Sequence, residues 1–267
     1  MKRKLSFGLI MTCLWLCFSQ MQLNAAVTTF PYYNGFETPS DTVGWKHLTI
    51  FSNITKWKVD SAAHNFGARS LYITKDDGKN VSYTGTTSGY VIYSYQTFTF
   101  PASATGDSYD IAFSWRCSGR FKSDATGATT ASDAFAVALV PDATNLRPAV
   151  MGTSYPTAVA SNMLTFDGTR TEFFGNTTWN QSNGKLNIPA VGGTYKLVFA
   201  WRMGGGNPGL LPACVDDIQI VKSADTPTDC NASPKNLVAT LTPTDFELNW
   251  TGNATSYQLR YYATGDP

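Results

Sequence analysis

The chain has 267 residues and a formal net charge of +1, with 20 basic against 19 acidic side chains and a charged fraction of 15%. Neither sign clusters, so there is no electrostatic footprint for a nucleic acid or an anionic membrane surface. Aromatic residues make up 13% of the chain beside many Gly, Ser, Thr and Asn, a composition that excludes disorder and suits an exported β-protein with polar turns. In chain order, Lys2, Arg3 and Lys4 precede an apolar run from Leu9 to Phe18, and Ala25 and Ala26 offer small residues for cleavage. This pattern predicts a signal peptide over 1–26 and a secreted or cell-surface product beginning near Val27. The run is short of the ~20 apolar residues that cross a bilayer, and no later segment is suited to membrane insertion. Leu16 before Cys17 argues against lipid processing. Loss of the signal leaves Cys117, Cys214 and Cys230, an odd number for an oxidising compartment, with Cys117–Cys214 and Cys214–Cys230 both open as pairs.

Residues 27–222 read as one all-β domain: short β-prone runs punctuated by Gly, Pro, Asn and Asp, without a 3.6-residue period. The clearest strands are 70–74, 90–100, 109–117, 134–140, 195–203 and 215–221. Asp76-Asp77-Gly78 and Asn183-Gly184 are turn signals, and 123–132 reads as a loop. A repeat is the strongest internal signal: Tyr109-x-x-x-Phe113-x-Trp115-Arg116 recurs as Tyr195-x-x-x-Phe199-x-Trp201-Arg202. With side chains alternating between faces, Tyr109, Ile111, Phe113 and Trp115 share one face, as do Tyr195, Leu197, Phe199 and Trp201. Burying each large side chain is worth roughly 1.5–3 kcal/mol, which predicts two sheets packed around these strands, with Arg116 and Arg202 pointing away. After a polar, Pro-containing linker over 223–233, residues 234–267 carry S-P-x-N-L-x-A, F-x-L-x-W and Y-x-L-x-Y. These resemble the opening strands of a fibronectin type III domain, and such a domain has seven strands, so the fold expected here is an incomplete β-sandwich.

Chemistry-bearing motifs are sparse. There are two histidines, His47 and His64, and no H-E-x-x-H, G-x-S-x-G or Cys-x-x-Cys pattern, so the common zinc, serine-hydrolase and redox signatures are missing. Carboxylates stand at the two ends of the first domain, Glu37 near its start and Asp216-Asp217 near its end. First and last strands of a sandwich often lie side by side, and adjacent carboxylates repel unless a cation neutralises them. Ca²⁺ takes several oxygen ligands of this kind, so a structural Ca²⁺ clamp between the termini is expected. A glycoside-hydrolase carboxylate pair is disfavoured because both groups belong to terminal strands.

Asn34-Gly35-Phe36-Glu37, Gly44-Trp45, Gly67-Ala68-Arg69-Ser70-Leu71-Tyr72, Phe113-Ser114-Trp115-Arg116 and Asp216-Asp217-Ile218 together resemble the jelly-roll domains called MAM or choice-of-anchor J. The order is also similar to the cleaved adhesin domains of gingipain-type proteases of Bacteroidota, over about residues 30–222. The resemblance implies a jelly-roll β-sandwich and a structural Ca²⁺ held by Glu37 with Asp216 or Asp217. Which aspartate binds is open, since neighbours in a strand face opposite sides. Asp60 and Asn65 are candidates to complete the sphere. The cysteine framework of animal MAM domains is missing, so animal-type adhesion is not implied. Trp45, Trp57, Tyr90, Tyr93, Tyr95 and Trp179 are candidate surface aromatics. Tyr93 and Tyr95 would form an exposed sugar-stacking strip if the core faces Ile92, and Trp179 is a further ligand contact. The function expected is a non-enzymatic binding or adhesion module recognising glycan or a host or cell-surface protein. The alternative is the non-catalytic leading region of a larger exported hydrolase, a peptidase or glycoside hydrolase.

Overall fold

The computed structural model describes residues 26–50, 55–123, 129–150, 154–209, 211–223, 235–241 and 246–251. Nearly all of the expected signal peptide, the linker, Cys230 and the third fibronectin-like strand lie outside these residues. In chain order the strands are β1 (Tyr32–Asn34), β2 (Lys46–Leu48), β3 (Lys56–Asp60), β4 (Ser70–Thr74), β5 (Tyr90–Phe100), β6 (Asp107–Cys117) and β7 (Arg120–Ser123). They continue as β8 (Thr129–Pro141), β9 (Asn176–Ile188), β10 (Gly193–Met203) and β11 (Cys214–Lys222); among the described residues a 3-10 turn lies at Pro39–Thr42 and a short α-helix, α1 (Thr157–Ala160), before β9. Two antiparallel sheets result. One runs β3-β4-β11-β6-β9 with β1 also on β11; the other runs β2-β5-β10-β8-β7. This is the expected jelly-roll sandwich, and its first and last strands do pair, Asn34 opposite Ile218 and Tyr32 opposite Ile220. Separately, β12 (Lys235–Leu241) and β13 (Phe246–Thr251) form an antiparallel pair with Leu241 opposite Phe246.

The repeated motif builds the core. β6 lies inside one sheet and β10 inside the other, and their aromatic faces meet across the sandwich, with the Phe113 and Phe199 ring centroids 5.6 Å apart. Tyr109, Ile111, Phe113 and Trp115 are buried, as are Leu197, Phe199 and Trp201; Tyr195 sits partly buried at the rim. The opposite parity holds too. Arg202 leaves the core side and pairs with Glu172 at 2.6 Å, while Arg116 lies over the Trp179 ring at 5.1 Å.

Four local expectations are corrected. Asn183-Gly184 makes no turn; both residues lie within β9. The glycine serves close approach instead, because a Cβ at Gly184 would stand 2.7 Å from Phe166 Cδ1. The expected loop over 123–132 is shorter, since β7 reaches Ser123 and β8 starts at Thr129. Cys117 and Cys214 are both free and buried; Cys117 belongs to the central core and Cys214 to a cluster on the other face of the same sheet, so a bridge between them is geometrically barred. Finally, Trp45, Trp57 and Tyr90 are core residues. The turn at Asp77-Gly78 is present, with φ of 63° and 92°.

Candidate cation-binding seam

The pairing of β1 with β11 brings the two acidic ends of the domain together. Between Asp216 and Gln219 the register of β11 against β6 shifts, and Asp217 takes a left-handed φ of 51°. Such a bulge bends the strand and re-aims side chains. The consequence corrects the expectation that the two aspartates face opposite sides: both carboxylates converge on Asn65. The Asn65 amide N–H donates to Asp216 Oδ2 at 2.8 Å and its Nδ2 donates to Asp217 Oδ2 at 3.0 Å. Ser114 Oγ donates to the same Asp217 oxygen at 3.2 Å, and Tyr33 Oη donates to Asp217 Oδ1 at 2.8 Å.

Glu37 stands at the rim of this seam. Its carboxylate accepts from the Ala68 N–H at 2.8 Å and the Arg69 N–H at 3.2 Å, clasping the loop that carries Asn65. Gly67 makes the clasp feasible: it has φ +69°, and a Cβ there would fall 2.2 Å from Glu37 Cδ. Gly67→Ala is therefore expected to lower stability by more than ~1 kcal/mol through backbone strain and displacement of the carboxylate, a loss measurable by denaturant unfolding. Asp60 is placed elsewhere, 3.2 Å from Lys58 Nζ and accepting from the Ser61 N–H at 2.9 Å. Sequence alone favours Asp60 over Asn65 as the further ligand, a carboxylate over an amide; the loop geometry reverses that order. Ser114 and Tyr33 were missed, although Ser114 sits between the aromatic residues of the repeat and Tyr33 three residues before Phe36.

Electrostatically the seam is under-compensated. Asp216 is 0% exposed and Asp217 4% exposed. Burial, then the neighbouring negative charges of Asp217 and Glu37, push the Asp216 carboxyl up to about 8. Among the described residues no lysine or arginine forms an ion pair with Glu37, Asp216 or Asp217. Buried carboxylates need a counter-charge or a proton, and an all-oxygen donor set suits a hard cation such as Ca²⁺. The donors are not fully preassembled: among the described residues no group of three or more His, Cys, Asp or Glu side chains is arranged to hold a metal, because Glu37 is turned to the loop amides. Asp216 and Asp217 form the ready part of the site.

The other candidate contacts are displaced from their expected roles. Tyr93 and Tyr95 share a face opposite Ile92 as their parity requires, yet they are 1% and 8% exposed. Leu146, Tyr155 and Val159 pack over them with Val140 and Val198, forming a second apolar layer outside the five-stranded sheet. The exposed strip is not formed. Trp179 is half-buried, against a cluster of Ala63, Tyr72 and Cys214.

No protein-family model matches the sequence, and no curated protein matches it. Solved structures show faint likeness. The enzymatically active domain of a bacteriophage tailspike protein aligns at 10% identity and TM-score 0.37, over 70% of this chain and 20% of that one. The C-terminal family 22 carbohydrate-binding module from Clostridium thermocellum aligns at 11% identity and TM-score 0.39, over 72% of this chain and 93% of that one. A cleaved adhesin domain of Lys-gingipain from Porphyromonas gingivalis aligns at 16% identity and TM-score 0.34, over 72% of this chain and 98% of that one. The fold assignment rests on the strand pairing of the chain itself.

Proposed function

We propose that the chain is an exported binding and adhesion module, recognising glycan or a cell-surface protein, whose sandwich is locked by a Ca²⁺ at the seam of its terminal strands. The supporting observation is the convergence on Asn65 of two buried carboxylates that have no cationic partner among the described residues, one of which, Asp217, also accepts from the hydroxyl of Tyr33, a ring that is 47% exposed. Asp216 and Asp217 would hold the ion, with Glu37 completing the set from the rim. The ion supplies positive charge at the junction; the chain's own residues do the rest. Asn65 orders the loop, Asp217 fixes the Tyr33 hydroxyl, and the ring is presented in one orientation, which lowers the entropic cost of binding.

Calcium at a hundredfold over its Kd is expected to add about 2.7 kcal/mol to stability, a melting rise of roughly 5–10 °C for a domain of this size, reversed by chelator. Glu37→Ala and Asp217→Asn should abolish that response while leaving the aromatic core intact. A melting curve indifferent to calcium and chelator would remove the clamp. Binding to neither glycans nor intact cells would remove the module.

A further inference from the structure

The outer faces of the two sheets are treated differently. That of the five-stranded sheet is sealed by the layer over Tyr93 and Tyr95. Among the described residues, the apolar cover on that of the other sheet lies beside the N-terminal half of β11, where Ala63, Val81 and Trp179 pack with Tyr72 and Cys214. Past the Asp217 bulge, Tyr33 stands opposite Gln219, Gln219 opposite Ala112, and Ala112 opposite Asn183. Residues opposite each other share a face, and since Tyr32 packs into the core, this row faces outward. Tyr33 and Asn183 are exposed, Gln219 and Ala112 half-buried. Gln181, also exposed, lies in the adjoining row opposite Ser114.

We propose that this row is the recognition surface and that its ligand is an uncharged polysaccharide lying across β1, β11, β6 and β9. The proposal rests on the reading of the chain as a binding module and locates its site. Three inter-strand steps of ~4.8 Å make the row about 14 Å long, the reach of a short oligosaccharide. Tyr33 offers a flat apolar ring to a sugar face at one end. The side-chain amides of Gln219, Asn183 and Gln181 have no protein partner among the described residues, and each carries donors and an acceptor that match paired hydroxyl groups. Ala112 leaves a low floor between two amides. Charge selects the class: none of Tyr33, Gln219, Ala112, Asn183 and Gln181 carries an ionised side chain, and Lys185 on the next row is neutralised by Asp110 at 2.5 Å. The hydrogen bond from Tyr33 to Asp217 couples the surface to the seam.

The test is affinity electrophoresis of the purified chain, with calcium, in gels containing xylan, galactan or glucomannan, and in gels containing polygalacturonate or chondroitin sulfate. Retardation by a neutral polysaccharide is expected, weakened about tenfold in both Tyr33→Ala and Asn183→Ala, given the loss of a stacking ring or of two hydrogen bonds. Asn183→Ala, at an exposed position, should keep the parent's melting temperature and calcium response. Tyr33→Phe keeps the ring and loses the hydroxyl that donates to Asp217, so it should fall between parent and Tyr33→Ala. Parent-like retardation of both alanine variants would overturn the location while leaving a glycan-binding module standing. Retardation by the anionic polymers alone would overturn the ligand class. No retardation in any gel would overturn the proposal, and a calcium-dependent melting shift in that same sample would show that the clamp survives it.

Discussion

Phe113→Ala is expected to destabilise the domain by about 3–5 kcal/mol, lowering its melting midpoint by roughly 10 °C or more. Phe113 is fully buried, and its ring lies 5.1 Å from Phe166, 5.2 Å from Phe173, 5.6 Å from Phe199 and 6.4 Å from Phe135, centroid to centroid. Those rings come from β8 and β10 of the facing sheet and from the connection before β9, and each is anchored by its own backbone. The void left by truncation cannot close without moving a strand, so the lost transfer energy is joined by a cavity term. Tyr195→Ala, at the partly buried rim with its one described ring neighbour, Phe100, at 6.1 Å, should cost less than half as much. Denaturant unfolding at fixed calcium reads both variants; equal losses would contradict the assignment of Phe113 to the centre.

The second large effect belongs to Asp133, a fully buried carboxylate. It accepts from Tyr83 Oη at 2.6 Å, the Gly204 N–H at 2.8 Å and Arg120 Nη2 at 3.2 Å. Arg120 also donates to the carbonyls of Asn207, at 2.9 Å, and Gly205, so one carboxylate ties β7 and β8 to the glycine-rich turn after β10. Burial, then the hydrogen bond and charge of Asp133, raise the Tyr83 hydroxyl above its ordinary range and keep it a donor. Asp133→Ala strands a guanidinium and a phenol hydroxyl, an expected loss of about 3–5 kcal/mol. Lys56→Ala, which removes a 2.7 Å pair to Asp77 with side chains 37% and 70% exposed, should cost less than about 1 kcal/mol. A comparable loss from the two would refute the distinction drawn from burial.

The repeat around Phe113 and Phe199 was legible because strand side chains alternate with period two, so a run of aromatic residues at odd positions can only form one face. The seam was legible in part for a related reason: Glu37 and Asp216-Asp217 mark the ends of a domain whose terminal strands pair. Their convergence was not, since it depends on a bulge with a non-glycine residue at positive φ, and no local sequence signal announces one. The fate of Tyr93 and Tyr95 was equally hidden. Their parity could be read, but the residues that cover them, Leu146, Tyr155 and Val159, are scattered through a connection without periodicity. Asn183-Gly184 carries the hairpin signal Asn-Gly, whereas it is the close approach of Phe166 that requires the glycine.

By itself the sequence determined the all-β class, the two aromatic layers and the identity of the acidic pair, because composition and period-two patterning constrain each strand locally. Tertiary structure alone decided which faces meet solvent, which way the aspartates turn and that Cys117 and Cys214 lie on opposite faces of their sheet. Those outcomes depend on register and on coverage by remote segments, and neither is encoded in the residues being covered.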